Sequence, residues 1–272
     1  MAASGRTKAE QVGDSAGLEA LARVGLVAYG VVYLLIGGLT LQLAWGAGPN
    51  KSPDPSGAFR TLAEQPLGNV LLWLLAVGLV ALGLWRVSDV FWGHRKLDGT
   101  ERVRKRVGSG VRAVVYTGLG VRSALVAAGF GGGSSHSQQQ ATIGVLAWPG
   151  GRAIVVVAGL IIISVGLVEA IRGVRKSFRE ELDTSSLSLA ARKDVLRLGE
   201  VGYIAKGMAL GMVGGLLSYA AWTFDWQKAS GLDGALQTVL AQPFGRWLLS
   251  AMAFGFAAFG LFAMLQSRYR RM

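Results

Sequence analysis

The residues that ordinarily carry chemistry are scarce in this chain. It has no cysteine, which excludes a thiol nucleophile, a thiolate metal centre and a disulfide framework. His94 and His136 are its only histidines. The hydropathy pattern sets them on opposite sides of a membrane, so they cannot share a metal or ligate one haem. No serine nucleophile elbow, phosphate loop or paired-carboxylate arrangement occurs. The run GFGGGSSHSQQQ lacks the lysine of a phosphate cradle and reads as a flexible loop. No enzyme activity, cofactor or metal is therefore expected. What stands out is four ionisable residues inside otherwise apolar stretches, Arg86, Arg122, Glu169 and Lys206, because charge buried in hydrocarbon is costly and usually has a reason. Arg86 and Glu169 lie within about one helical turn of a stretch boundary and Lys206 about two turns in, so these three could snorkel to the interface. Arg122 falls near mid-bilayer with no carboxylate at its depth. It has to reach outward to water, cap backbone carbonyls or line a wet cavity.

The elements that hold these charges are apolar windows of membrane-spanning length. A helix needs about 20 mostly apolar residues to cross the roughly 30 Å hydrocarbon layer, and six windows qualify: 24–45, 68–92, 111–130, 153–171, 201–222 and 247–266. Stretches such as LLWLLAVGLVALGLW are apolar on every face, unlike a soluble amphipathic helix. The net charge of +12 invites a nucleic-acid reading, but the basic residues concentrate in alternate connections. Arg95, Lys96, Arg102, Arg104, Lys105 and Arg106 fill one of these, and Arg172, Arg175, Lys176 and Arg179 begin the next. That is positive-inside asymmetry, which predicts a plasma-membrane protein with both termini cytoplasmic. The expected partners are anionic headgroups on the cytoplasmic side, with other membrane proteins or a second copy as further candidates; nucleic acid is not expected.

An internal repeat organises the chain. Pro66, Pro149 and Pro243 are each followed two residues later by Gly68, Gly151 and Gly245, and Gly83, Gly166 and Gly260 recur deep in the even-numbered spans. Arg23, Arg106 and Arg197 each precede a glycine by two residues, Gly25, Gly108 and Gly199, and so mark the start of each unit. The expected fold is all-α: six transmembrane helices as three parallel tandem hairpins related by an approximate threefold axis along the membrane normal. The units span 21–96, 104–180 and 195–272 after a cytoplasmic tail of 1–20. Each proline suits the first turn of a returning helix, and a short interfacial helix precedes it, with Phe59, Leu62 and Ala63 on its apolar face. Gly207, Gly211 and Gly215 form a double GxxxG stripe suited to close helix packing.

The repeated hairpin, its AxxxLxxQPxG-like loops and the terminal SRYRR resemble a bacterial membrane family, domain of unknown function 1206 (DUF1206), most familiar from actinobacteria. The likeness covers about Leu21 to Arg271 and implies three two-helix repeats, with no established activity, cofactor or catalytic residue. The second loop departs from the pattern, with Trp148 where the others have Gln65 and Gln242.

Two function classes follow. A noncatalytic scaffold or accessory subunit of the cell envelope needs no internal polar path. A small-solute or ion channel or transporter along the threefold axis needs Arg122, Lys206 and Glu169 to face one another.

Overall fold

The computed structural model describes residues 16–46, 52–91, 99–130, 150–182, 188–223 and 231–269. His94, His136, the glycine-rich run from 131, Ala141, Trp148, Pro149, Arg270 and Arg271 lie outside these residues. The described chain folds into eight α-helices: α1 (Ala16–Ala44), α2 (Pro55–Ala63), α3 (Gly68–Phe91), α4 (Gly99–Ala127), α5 (Gly151–Val174), α6 (Leu189–Thr223), α7 (Gly231–Leu240) and α8 (Gly245–Tyr269). A 3-10 turn at Ser177–Glu181 joins α5 to α6. Five of these helices, α1, α3, α5, α6 and α8, contain stretches long and apolar enough to cross a membrane. Helix α4 has the length, 29 residues, but Arg112 and Arg122 interrupt its apolar run. The long helices turn large apolar side chains outward, Val114 at 74%, Leu84 at 59% and Phe254 at 67% exposure among them. Such a surface suits lipid and would aggregate in water.

Packing between units is closer than packing within them. The most extensive helix contacts are α3 with α4, α5 with α6, and α8 with α1. Small residues make these contacts possible by letting backbones meet. A methyl group at Gly37 of α1 would lie 2.9 Å from the Ala253 carbonyl oxygen of α8. At Gly120 of α4 it would lie 3.0 Å from the Ala76 oxygen of α3, and at Gly214 of α6 it would lie 2.6 Å from the Gly159 oxygen of α5. One turn or two further along, Gly260 meets Gly30, Gly83 meets Ala113 and Thr117, and Gly166 meets Gly207 and the Gly211 nitrogen. The same repeat positions thus meet at all three interfaces. Two expectations change as a result. The seam on α6 runs through Gly207 and Gly214, two turns apart, while a side chain at Gly211 or Gly215 would meet open space. Gly199 is not the counterpart of Gly25 and Gly108: the ring of Phe178 occupies the space that a side chain there would need, and Gly202, one turn on, holds the equivalent register.

The Gln-Pro-x-Gly strings form tight turns rather than helix starts. Gly68 N–H donates to the Gln65 carbonyl at 2.8 Å and Gly245 N–H to that of Gln242 at 2.9 Å. Pro66 and Pro243 occupy the second turn position, which their fixed φ suits, and the helices begin two residues later at Gly68 and Gly245. The third turn position has positive φ in both cases, Leu67 at 64° and Phe244 at 61°, and Gly150, at the equivalent sequence position of the second unit, has φ 86°. Gly68 and Gly245 leave room for the carbonyl ends of the short helices, Leu62 and Leu240 respectively. Those short helices exist as expected in the first and third units, α2 and α7. Helix α2 is capped by Asp54, whose carboxylate accepts the Gly57 N–H at 2.8 Å. Its buried face is Ala58, Phe59 and Leu62, while Ala63 is exposed, so that face of α2 is seated against α1, α3 and α4.

Gly260→Leu should lower stability in detergent by about 2 kcal/mol or more, because the obstructing atoms are backbone. Gly211→Ala should be neutral or slightly stabilising through helix propensity. Thermal unfolding of both variants checks the seam.

Candidate functional site

The inward faces of the long helices enclose a polar cavity of about 20 Å³, lined by Leu26 and Tyr29 of α1, Arg86 of α3, Arg112 and Tyr116 of α4, Glu169 and Arg172 of α5, Tyr203 and Lys206 of α6, and Phe259, Ala263 and Gln266 of α8. That volume holds about one water or one anionic oxygen. Charge here is sequestered: Arg86 and Glu169 are each 7% exposed. Glu169 is shared, its Oε1 lying 3.8 Å from Lys206 Nζ and its Oε2 3.8 Å from Arg172 Nη1. Both separations exceed hydrogen-bonding reach, so the attraction is Coulombic.

Aromatic rings frame the cluster. Lys206 Nζ lies 4.7 Å from the centroid of Phe259, 5.6 Å from Tyr29 and 6.0 Å from Tyr33, while the Arg172 guanidinium sits 5.2 Å over Tyr203. The rings brace one another edge to face, Tyr33 with Phe259 at 4.7 Å and Tyr29 with Tyr116 at 5.1 Å. Quadrupole attraction partly replaces the hydration the ammonium has lost. Above this layer lies a second cavity, about 480 Å³ and mostly apolar, bounded by Val115 and Leu119 of α4, Ile162 of α5, Leu210 of α6 and the starts of α2 and α7. Tyr29 and Lys206 line both cavities.

Of the four intramembrane charges expected to matter, three converge here and one does not. Arg86, Glu169 and Lys206 turn inward instead of snorkelling, because the opposite charges find each other in the bundle centre. Arg122 points to the far end of α4, where its Nε donates to Ser56 Oγ on α2 at 3.3 Å. Arg112, Arg172 and the tyrosines escaped the sequence reading. The repeat could have revealed Arg112 and Tyr29, since Tyr29, Arg112 and Lys206 hold one repeat position and Arg86, Glu169 and Ala263 another. Aligning the third unit on Gly199 instead of Gly202 shifted the odd helix by one turn and hid the first set.

An all-helical bundle of long, apolar, outward-greasy helices with a sequestered charge cluster defines a multi-pass membrane protein built from an internal repeat. The family model described as Domain of Unknown Function (DUF1206) matches residues 24–93, 107–176 and 201–270, and the chain belongs to that family. Three windows of equal length place Gly25, Gly108 and Gly202 in register, as the helix contacts do. The chain is also similar to an uncharacterized protein of Bacillus subtilis (strain 168), YxxB, 32% identical over 251 residues, which cover 92% of this chain and 90% of the relative. No solved structure matches the chain.

Glu169→Gln should destabilise the protein by about 3 kcal/mol, because it leaves Arg172 and Lys206, whose side chains are only 15% and 14% exposed, without their shared carboxylate. Adding Lys206→Met should recover part of that loss. Denaturation of the single and double variants in detergent checks this, and simple additivity would show that the pair does not interact.

Proposed function

We propose that the protein is a noncatalytic, six-span membrane protein whose three hairpins surround a central site that holds a small anionic group. The carrying observation is the sharing of one carboxylate, Glu169, between Arg172 and Lys206 at 3.8 Å each, in a cavity that Arg86 and Arg112 also line. A site so rich in cations attracts anions, and its size admits one oxygen of a small anion, such as a phosphate or a carboxylate, whose remainder faces the adjoining cavity. Helix α4 supplies the third crossing. Its packing on α3 is close in extent to that of α8 on α1, and Arg112 faces the central cavity while Arg122 reaches Ser56, so neither arginine has to face lipid. The recurrence of the same contacts at all three interfaces supports the pseudo-threefold arrangement.

The polar cavity lies toward the end where α1 enters and α8 leaves, the end richest in basic residues, which on the positive-inside rule faces the cytoplasm. Trp45, Trp222 and Trp247 cluster near the opposite helix ends, Trp45 and Trp247 at 5.5 Å edge to face, as an interfacial girdle would. Anionic headgroups beside the basic connections remain the proposed lipid partners. The outward apolar faces also suit the accessory-subunit role, in contact with other membrane proteins or a second copy. Transport along the axis is a second reading, favoured by the stacking of the two cavities. A hydrated ion would have to shed its shell in the apolar one, so the main reading predicts no ion conductance in proteoliposomes, and measurable conductance would favour transport instead.

Two measurements test the main reading. Inorganic phosphate at fixed ionic strength should raise the thermal midpoint of the purified protein, by up to about 2.7 kcal/mol of added stability at a hundredfold excess over Kd, and Arg112→Gln should abolish the effect. A phosphate response equal in both proteins would remove the site. Cysteine at Ala229 should react with impermeant maleimide on intact cells and cysteine at Ser177 only after permeabilisation; the reverse would invert the topology. Ser109, otherwise a natural second cytoplasmic probe, is 3% exposed and would not label.

A further inference from the structure

We infer that the anionic group is the head of a single-chain amphiphile, a long-chain fatty carboxylate in its simplest form, whose chain lies in the apolar cavity beside Lys206. This rests on the central anion site proposed above and adds what occupies the larger cavity. Lys206 decides the matter, because its ammonium faces both cavities at once. Among the described residues its partners are Glu169 and three ring faces, none at hydrogen-bonding distance. An ammonium has three N–H donors, and one whose side chain is only 14% exposed is costly to leave without acceptors. An anionic oxygen at the boundary between the cavities would supply the missing acceptor.

The geometry excludes simpler and bulkier occupants. The polar cavity, about 20 Å³, takes one small anionic group and not a glycerophosphate headgroup. The apolar cavity, about 480 Å³, falls in the range of roughly 300–1,000 Å³ typical of ligand pockets, and its walls of Val115, Leu119, Ile162 and Leu210 offer nothing to a hydrated ion. Among the described residues it also has a way in from the side. Helix α1 packs on α3 and α6 on α8, but the equivalent pair of the second unit, α4 and α5, makes no comparable contact. Val115 and Leu119 on one side of that gap and Ile162 on the other line the cavity, and Val115 is 45% exposed. A chain already dissolved in the bilayer would slide between α4 and α5 head inward, toward Lys206.

The test is equilibrium binding of radiolabelled palmitate to the full-length protein in nanodiscs, against protein-free nanodiscs, with hexadecanol as the uncharged chain and inorganic phosphate as the charge without a chain. Palmitate should bind saturably and at least about tenfold more tightly than hexadecanol, as a charge-assisted contact requires. Lys206→Met should remove that preference, and Leu210→Trp, which fills the apolar cavity, should abolish palmitate binding while leaving the phosphate response intact. Equal binding of palmitate and hexadecanol, or palmitate binding indifferent to Leu210→Trp, would overturn the inference. Phosphate response without palmitate binding would sink the amphiphile and keep the central site; loss of both would sink the site itself.

Discussion

Backbone-to-backbone contact between consecutive repeat units is the constraint on which everything else depends. In lipid there is no hydrophobic force between helices, so association relies on van der Waals contact and on small residues that allow it. Gly37, Gly120 and Gly214 bring each odd span onto the preceding even span. The last unit also closes on the first, through Gly260 and Gly30. Without that closure the inward faces would not surround a common space, and Arg86, Glu169 and Lys206 would have to face lipid.

Closure then makes the charge cluster tolerable. A lone lysine or glutamate in hydrocarbon is expensive, but a carboxylate between two cations, walled by aromatic rings, exchanges water for attraction and quadrupole contact. Such an arrangement contributes little net stability relative to an apolar core. It fixes position and polarity at the centre of the bundle, which is a reason for a binding site to contain it. The three repeats diverge at this point: position 29 and its equivalents hold tyrosine, arginine and lysine, and position 86 and its equivalents arginine, glutamate and alanine. The same cation or the same carboxylate in all three units would have placed like charges together; divergence of the units lets Glu169 meet Lys206 instead.

Much of the fold was legible in the residues, because apolar length and repeat spacing are strong, local signals. The short helices before Pro66 and Pro243 and the recurrence of Gly83, Gly166 and Gly260 follow from them, whereas the partners of those glycines and the meeting of Lys206 with Glu169 do not. The turn geometry was not, since Leu67 and Phe244 adopt a positive φ that only Gly150 advertises. Nor was the full cluster. Arg112 and Arg172 sit close enough to the basic connections to pass for topology signals, and the Arg-x-Gly string ending at Gly199 imitates a unit start although its glycine serves Phe178. Which face of an apolar helix points inward is decided by glycine contacts between units, and those become visible only when the helices are packed.

Closure of the first span on the last is the most direct thing to measure. The Cβ of a residue at Gly37 would lie 3.6 Å from the Cβ of Phe256, within disulfide range, and the chain has no cysteine of its own. Gly37→Cys with Phe256→Cys, oxidised in native membranes and then cut by a protease site inserted at Ala229, should keep the two fragments joined on a non-reducing gel. Fragments that separate without reductant, or that link only between different chains, would contradict a closed ring and with it the central site.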